Sequence, residues 1–279
     1  MQPMNIENSD AATVASFGDE WERFDQSAVG QAELQHFFDA YFHLLPWDKL
    51  PNDAVGFDMG CGSGRWANLV APRVGRLHCI DPSRALVVAQ RNLSAHRNIE
   101  FHAASVDTVA LPASSQDFGY SLGVLHHIPD TEKALYRCVA LLKPGAPFLL
   151  YLYYRFDNRP LWFRAVWKLS DLLRQAIFRL PGGLKHAVTD TLALLVYWPL
   201  ARLCRLGEWL GINTASVPLY AYRTASFYTM RTDSRDRFGT PLEQRFTRTE
   251  IEAMMTRAGL TAITFSEASP YWCAVGVKA

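Results

Sequence analysis

The sequence predicts an α/β fold built on a mainly parallel sheet, and three observations carry that expectation. Residues 54–153 alternate short apolar runs with helix-compatible stretches, the pattern of parallel strands joined by crossover helices. The first of those runs, Ala54 to Asp58, ends in an acid and leads into three alternating glycines, Gly60, Gly62 and Gly64. Residues 246–279 restore the alternation, with a helix and two strands, after a long interruption.

Residues 1–53 form a leading segment. Asp10 to Phe24 reads as a loop and a short helix. Glu33 to Leu45 is a better helix, because Leu34, Phe37, Phe38, Tyr41, Phe42 and Leu45 recur at a spacing of three to four. Pro46 and Pro51 punctuate the chain before the first strand. Within 54–153, the strand ending at Asp58 is followed by a turn in which glycine lets the backbone take positive φ and a ligand lie against the main chain. Arg65 to Val70 then starts a helix. Leu77 to Ile80 is a second strand, and the acid after it, Asp81, stands where it could accept both hydroxyls of a nucleoside's ribose. Pro82 and Ser83 open the next helix, with proline at an early position; as an alternative, Asp81 is simply that helix's N-cap. Asn98 to Ala103 reads as a third strand. Near the C-terminus, Thr261–Ser266 and Trp272–Lys278 flank Ser269-Pro270 and suit an antiparallel hairpin.

Residues 154–245 break the rhythm. Leu161 to Leu180 is amphipathic, with Trp162, Val166, Leu169, Leu173, Ile177 and Leu180 on one face, and Gly182-Gly183 stops it. Leu184 to Leu210 is more apolar and is expected to kink near Pro199. Residues 155–210 hold nine Arg or Lys against four Asp or Glu. A basic amphipathic helix pair of this kind serves as a lid packed on its own sheet, as a homodimer face, or, through residues 160–210, as a peripheral membrane-surface element.

Composition sets bounds. Hydrophobic residues make up 49% and charged residues 20%, as in ordinary globular domains. A formal charge of +1 and the lack of a basic stripe give no reason to expect nucleic acid. The five cysteines, Cys61, Cys79, Cys138, Cys204 and Cys273, form no C-x-x-C pair, so no metal site or disulfide scaffold is expected and a reducing cytoplasm suits them. Met1 to Glu7 is polar and no apolar stretch follows, so no signal peptide is expected. No charge-free run reaches 18 apolar residues; Thr191 to Ala201 has 11 and contains Pro199, too short to span a bilayer.

The glycine spacing discriminates between ligands. A dinucleotide fingerprint needs a third small residue at position 65, and Arg65 stands there. The run Asp58-x-Gly60-x-Gly62-x-Gly64 instead resembles motif I of the class I S-adenosylmethionine (SAM)-dependent methyltransferases. Further segments resemble that family in the same order: Ala104-Ser105-Val106-Asp107 with Leu111-Pro112 as its adenine-contacting turn, Gln116 to Asp130 as its fourth strand and following loop, Leu141 to Gly145 as the turn before strand five, and Phe246 to Leu260 as the helix before strand six. The resemblance covers 54–153 and 246–279. It implies a Rossmann-like sheet of seven strands, an N-terminal helical cap over 1–53, a SAM-binding core over 54–153, a large helical insertion at 154–245 between strands five and six, and SAM as cofactor.

It also implies roles. Asp58, Gly60, Cys61, Gly62 and Gly64 would hold the methionyl end of SAM, with Cys61 a small filler rather than a nucleophile. Asp81 and Pro82 would lie at the ribose, Ser105 and Val106 at the adenine, and Leu122 at the end of strand four. The family usually carries an acid where Ser105 stands, which shifts recognition of the adenine amino group to the backbone or to Asp107. His126 and His127 follow strand four and can act as a general base near neutral pH, or one ring can merely hold the loop. Phe17 and Trp21 would fold over the sulfonium, the alternative being a helix packed at the sheet edge. Tyr228 and Arg231 would face a small-molecule substrate, the alternative being a solvated basic loop. Leu122-Gly123-Val124-Leu125 stands where many N-methyltransferases carry N-P-P-Y, so an oxygen acceptor on a small or amphipathic molecule is favoured. The alternatives are N-, S- or C-methylation of a lipid- or quinone-like substrate at a membrane surface, or a SAM-binding protein without catalysis.

Overall fold

The computed structural model describes residues 8–279; the polar leader Met1–Glu7 lies outside the described residues. Five parallel strands form the body of the sheet: β1 (Val55–Met59), β2 (Arg76–Ile80), β3 (Ile99–His102), β4 (Phe118–Leu122) and β5 (Pro147–Tyr151). The last two strands, β6 (Leu260–Phe265) and β7 (Cys273–Lys278), form the expected antiparallel hairpin, and β7 inserts beside β5. The order is β3-β2-β1-β4-β5-β7-β6. The chain reverses direction across the sheet between β1 and β4, and open α/β sheets bind ligands outside the carboxyl ends of strands at such a switch point. Asp58 and Leu122 stand at those ends.

The helices of the sheet's own unit are α1 (Ala11–Arg23), the second half of α2 (Gln31–Phe42), α3 (Ala67–Val70), α4 (Ala85–Asn92), α5 (Thr131–Leu141) and, late in the chain, α10 (Arg248–Arg257). Asp10 caps α1 through the Thr13 amide, and Asp130 caps α5 through that of Lys133. The helix after the glycine loop is shorter than the pattern suggests. Pro72 cannot continue an α-helical ladder, and the chain tightens into a 3₁₀ turn at Ala71–Arg73. The core holds Phe57, Met59, Phe148 and Leu150 on one sheet face with Leu135, Cys138, Ile251 and Met255 from α5 and α10. On β4 and β5, Tyr120 and Tyr151 instead meet Phe42 and Tyr41 of α2, with ring centroids 5.1 and 5.2 Å apart.

The described chain divides into two compact units. One comprises the chain up to Gln26, His36–Arg155 and Leu242–Ala279; the other comprises Ser27–Gln35 and Phe156–Pro241. The second unit is helical: α6 (Leu161–Ile177), α7 (Gly182–Leu192), α8 (Trp198–Trp209) and α9 (Phe227–Gly239). A π turn over Ala193–Tyr197 joins α7 to α8. It lies just ahead of Pro199, whose missing N–H and bulky ring interrupt a regular ladder, at the place where a kink was expected, and α7 and α8 run on through it as one continuous helical rod. That rod, Gly182–Trp209, is 28 residues long and, among the described residues, is the one helix long and apolar enough to cross a membrane. The sequence expectation fell short because it stopped the apolar run at Thr191 and Ala201.

The amphipathic face expected of α6 is present but turned outward. Trp162, Val166, Leu169 and Leu173 are 50–64% exposed, and only Ile177 is buried. The inward face is polar. Arg174 is buried, with its guanidinium bonded to Asp171 and to the carbonyls of Thr240 and Pro241, and Arg237 of α9 reaches Asp171 and Ser170. Glu33 caps α9 from the Ser27–Gln35 segment, accepting from the Ser226 amide and the Thr229 hydroxyl.

Candidate active site

The glycine loop is drawn against the ends of β1 and β2 by its own backbone. The amides of Gly60 and Cys61 both donate to the Ile80 carbonyl, and the Gly62 amide donates to Asp81 Oδ2 at 3.0 Å. Gly62 has φ +54°, and a Cβ there would lie 3.1 Å from the Trp21 indole nitrogen. The position is therefore closed to side chains by conformation and by space. Asp81 Oδ1 accepts from the Ser83 amide and hydroxyl at 2.8 and 2.6 Å. Three of the roughly four lone-pair positions of that carboxylate are thus filled by its own chain, leaving room for one donor more. Burial raises the Asp81 carboxyl above its usual range, against the bonds from Ser83 and Gly62.

Asp58 is a buried acid with an orphaned oxygen. It is 1% exposed, and its Oδ2 has no hydrogen-bond partner. Burial pushes its carboxyl up to about 8; the neighbouring Tyr120 hydroxyl and the Arg65 charge pull the other way, and the Asp81 charge adds to the rise. The Tyr120 hydroxyl and Ser63 Oγ are likewise buried without partners. Orphaned buried polar groups at a strand-end loop ask for a polar ligand. An ammonium would satisfy Asp58, and ribose hydroxyls would use the remaining capacity of Asp81, so this loop fits the amino-acid and nucleoside parts of SAM.

The aromatic residues of α1 come to the same loop. Trp21 lies beside Gly62, and the Arg65 guanidinium sits over both Trp21 and Trp66, at 5.4 and 4.5 Å from the ring centroids. Phe17 meets His127 edge-on at 4.9 Å. The two histidines then differ sharply. His126 is completely buried between His127 and Tyr153, with centroids at 4.0 and 3.9 Å. Its Nδ1 accepts from the Tyr153 amide at 3.4 Å, its Nε2 has no partner, and burial depresses it well below the usual imidazole range. His127 Nδ1 lies 2.6 Å from the Leu242 carbonyl, which can only accept. The proton therefore sits on Nδ1, and Nε2 carries the lone pair.

Cys61 is buried beside Cys79, which with burial holds its thiol well above the ordinary value, in keeping with a filler. Ser105 bonds to Thr108, by its amide to Oγ1 and by its own Oγ, and Val106 is buried. The Asp107 carboxylate is engaged by the Asn8 amide, Lys133 and Arg137, while its Oδ1, on the Arg137 side, is buried without a hydrogen bond. Pro82 is exposed, and Leu122 is buried at the end of β4. Tyr228 and Arg231 belong to the helical unit; the Arg231 fork is already closed on both oxygens of Asp190, at 3.0 and 2.9 Å. A bidentate ion pair leaves that guanidinium little capacity to clamp a second carboxylate.

Sequence reasoning missed residues 242–246. Besides the Leu242 carbonyl, the Gln244 amide donates to the His126 carbonyl, and its side chain donates to Ile128 and Thr131. Arg245 pairs with Glu243 at 2.7 Å and lies over the Tyr153 ring at 5.1 Å. The contacts of Leu242 and Gln244 join positions more than 110 residues apart, most of them through main-chain atoms, and no local pattern announces them. A second polar cluster, His78, Glu100 and His102, has ligand-type atoms within 4.8 Å of one another. It is accounted for by the His78–His102 hydrogen bond and by Arg76 at 3.0 Å from Glu100.

Comparisons with known proteins follow the same lines. A family model described as a methyltransferase domain matches residues 57–150. The chain is 26% identical over 159 residues to a ubiquinone biosynthesis O-methyltransferase of Methylocella silvestris, covering 51% of this chain and 62% of that protein. It is 27% identical over 90 residues to the protein so named in Coxiella burnetii, covering 32% and 38%. An uncharacterized methyltransferase of Mycobacterium bovis is 30% identical over 143 residues, covering 51% of this chain and 68% of that one. The matches thus span less than two thirds of the two ubiquinone-pathway relatives. Among solved structures, an O-methyltransferase family protein from Burkholderia thailandensis shares the fold, with a TM-score of 0.53 at 13% identity over 92% of this chain and 59% of that one.

Proposed function

The chain belongs to the class I SAM-dependent methyltransferases, and from that membership we propose that it methylates a hydroxyl oxygen on a small or amphipathic molecule. SAM supplies a methyl group on a sulfonium, already activated for in-line displacement, so the protein's share is alignment, exclusion of water and disposal of the acceptor's proton. Asp58 would hold the ammonium and Asp81 the ribose. Phe17 and Trp21 of α1 would shield the loop from water. His127 would take the hydroxyl proton.

The observation that carries the oxygen reading is the fixed tautomer of His127. Its Nδ1 is committed to the Leu242 carbonyl, so the basic lone pair stands on Nε2, a buried atom of a ring that Phe17 meets edge-on. A neutral amine or a thiolate acceptor needs no such base. His126, buried and held well below the usual imidazole range, is cast as the support for this ring rather than as a second base. The names of the Methylocella and Coxiella relatives point the same way. The cysteines, all buried and free, accord with the cytoplasm as the compartment.

The test is incubation with methyl-labelled SAM and fractionated cell extract, with the product located by mass spectrometry. Label on a hydroxyl-derived oxygen of a small molecule is expected. Label on nitrogen, sulfur or carbon would overturn the oxygen assignment. Binding of SAM with no transfer to any fraction would place the chain with non-catalytic SAM-binding proteins.

A further inference from the structure

Large apolar side chains are not exposed evenly over this protein. Among the described residues nineteen are exposed, and all but Val87 and Tyr136 lie between Leu161 and Phe227, in the helical unit. Exposed apolar surface of this extent marks an interaction site. On α6 the arrangement is inverted. Leu161, Trp162, Val166, Leu169, Leu172 and Leu173 are exposed, while Ser170, Asp171 and Arg174 form the inward polar network. On α7 and α8 the inward positions are Thr189, Asp190, Leu192, Ala193, Tyr197, Ala201 and Cys204, and Leu184, Trp198, Leu203, Leu206 and Trp209 are exposed.

Charge follows the same division. The one acid of α6, Asp171, faces Arg174 and Arg237. Asp190 is paired with Arg231, and Glu208 with Arg223. Exposed among the leucines of α6 are Arg164 and Lys168, and Arg179 and Arg205 are exposed further along. The outward faces are therefore apolar and cationic. Trp162, Trp198 and Trp209 are 45–80% exposed, and this side chain favours the level of lipid headgroups.

We propose that the helical unit docks on an anionic lipid bilayer, with the outward faces of α6, α7 and α8 in the headgroup region. The unit lies on the surface and does not span it. The Gly182–Trp209 rod is long enough to cross, but Asp190 ties it to Arg231 of α9. That polar helix also carries Asp233, Arg235, Asp236 and Arg237 and would have to enter the hydrocarbon with it. Amphipathic helices that combine exposed Trp and Leu with Lys or Arg bind in the interface plane instead. A second copy of this chain is a poorer occupant. A two-fold interface through α6 would gather the Arg164 and Lys168 of both copies into one buried patch, with no acid on the outward face of α6 to receive them.

The test is flotation of the full-length protein with phosphatidylcholine vesicles, with and without phosphatidylglycerol. It reads lipid binding alone, so its outcome is independent of the methyl-transfer reading. Binding is expected to the anionic vesicles and to be at least about 10-fold weaker to the neutral ones, with tens-fold loss for removal of a few juxtamembrane charges. Arg164→Gln with Lys168→Gln should lower anionic binding by roughly 30-fold at about a factor of five per charge. Leu169→Glu with Leu173→Glu should abolish binding to both. All four positions are exposed, so melting midpoint and SAM affinity serve as controls and should stay at wild-type values. Absence of flotation with anionic vesicles, or unchanged flotation of the leucine variant, would overturn the proposal. So would a stable dimer that the leucine variant dissociates, with no lipid binding in the wild type.

Discussion

Asp58→Asn separates the stability of this fold from its ligand affinity, and the sign of the effect depends on pH. The Asp58 carboxyl is 1% exposed, lacks a partner at Oδ2 and is pushed by burial from 3.8 to about 8. Its folded pKa therefore lies above its unfolded one. Its favourable contribution is complete below 3.8 and is lost as pH rises toward 8, because the unfolded chain ionises while the folded one must keep the proton. At pH 7 the gap is 7 − 3.8 = 3.2 units, or roughly 4 kcal/mol against the folded state at about 1.4 kcal/mol per unit. Asparagine is neutral in both states and escapes that cost. It brings an amide that is also poorly partnered, at about 1–3 kcal/mol. The ligand-free variant should thus be more stable than wild type by roughly 1–3 kcal/mol at pH 7 and no more stable at pH 4. Urea denaturation at several pH values measures this directly. SAM binding should behave oppositely: wild type should release close to one proton on binding at about pH 6, seen by calorimetry in buffers of different ionisation enthalpy, and the variant should release none and bind roughly 10- to 150-fold more weakly, the loss of a charge-assisted contact. Parallel stability curves for the two proteins from pH 4 to 8 would refute the burial argument. Equal SAM affinity would refute the assignment of the ammonium site.

Three further outcomes test the site. Gly62→Val should abolish SAM binding in a chain that still folds, since the position has φ +54° and a Cβ there meets Trp21; wild-type affinity by calorimetry would remove the loop from the cofactor site. Asp81→Ala should weaken SAM and its demethylated product alike by roughly 1.5–3 kcal/mol, and an unchanged dissociation constant would move the ribose elsewhere. His127→Ala should lower turnover by roughly 10²–10⁴-fold with SAM affinity nearly intact and the acidic limb of the pH–rate profile altered, since a general base acts only unprotonated. His126→Ala should instead reduce thermal stability, as a completely buried ring is removed; full turnover in both variants would leave the reaction to alignment alone.

Much of the sheet and its loop is legible in the sequence because the determinants are local. β1, the glycines and Asp81 lie within 27 positions of one another, and the bonds from Gly60, Cys61 and Gly62 to Ile80 and Asp81 close inside that stretch. The shortening of α3 is readable afterwards from Pro72. The state of Asp58 is not. A carboxylate at a strand end is an ordinary sight, and the orphaned Oδ2 and raised carboxyl arise only when the folded core buries it away from water. The same holds for the division of labour between His126 and His127. Two adjacent identical residues acquire opposite tautomers because the Tyr153 amide reaches one and the Leu242 carbonyl the other. The engaged carboxylate of Asp107 and the closed fork of Arg231 are equally nonlocal, depending on Lys133 and Arg137 in one case and Asp190 in the other.

The case of α6 shows why amphipathicity alone does not assign an interior. Periodicity fixes that Trp162, Val166, Leu169 and Leu173 share a side, and the ordinary inference sends that side to the protein core. Here the competing stripe is chemically stronger. Asp171 and Arg174 lie three residues apart and bond each other, Arg237 of α9 adds to the pair, and Arg174 also satisfies the Thr240 and Pro241 carbonyls at the end of α9. A network this connected, closed around a buried guanidinium, is costly to break, because each member left unpaired would carry its own desolvation penalty. Exposing four large apolar side chains to water is costly too, at roughly 1.5–3 kcal/mol for each one that could otherwise be buried. The docking proposed above would remove that cost, since the cations interleaved on the outward face suit anionic headgroups and its leucines and tryptophan would leave water.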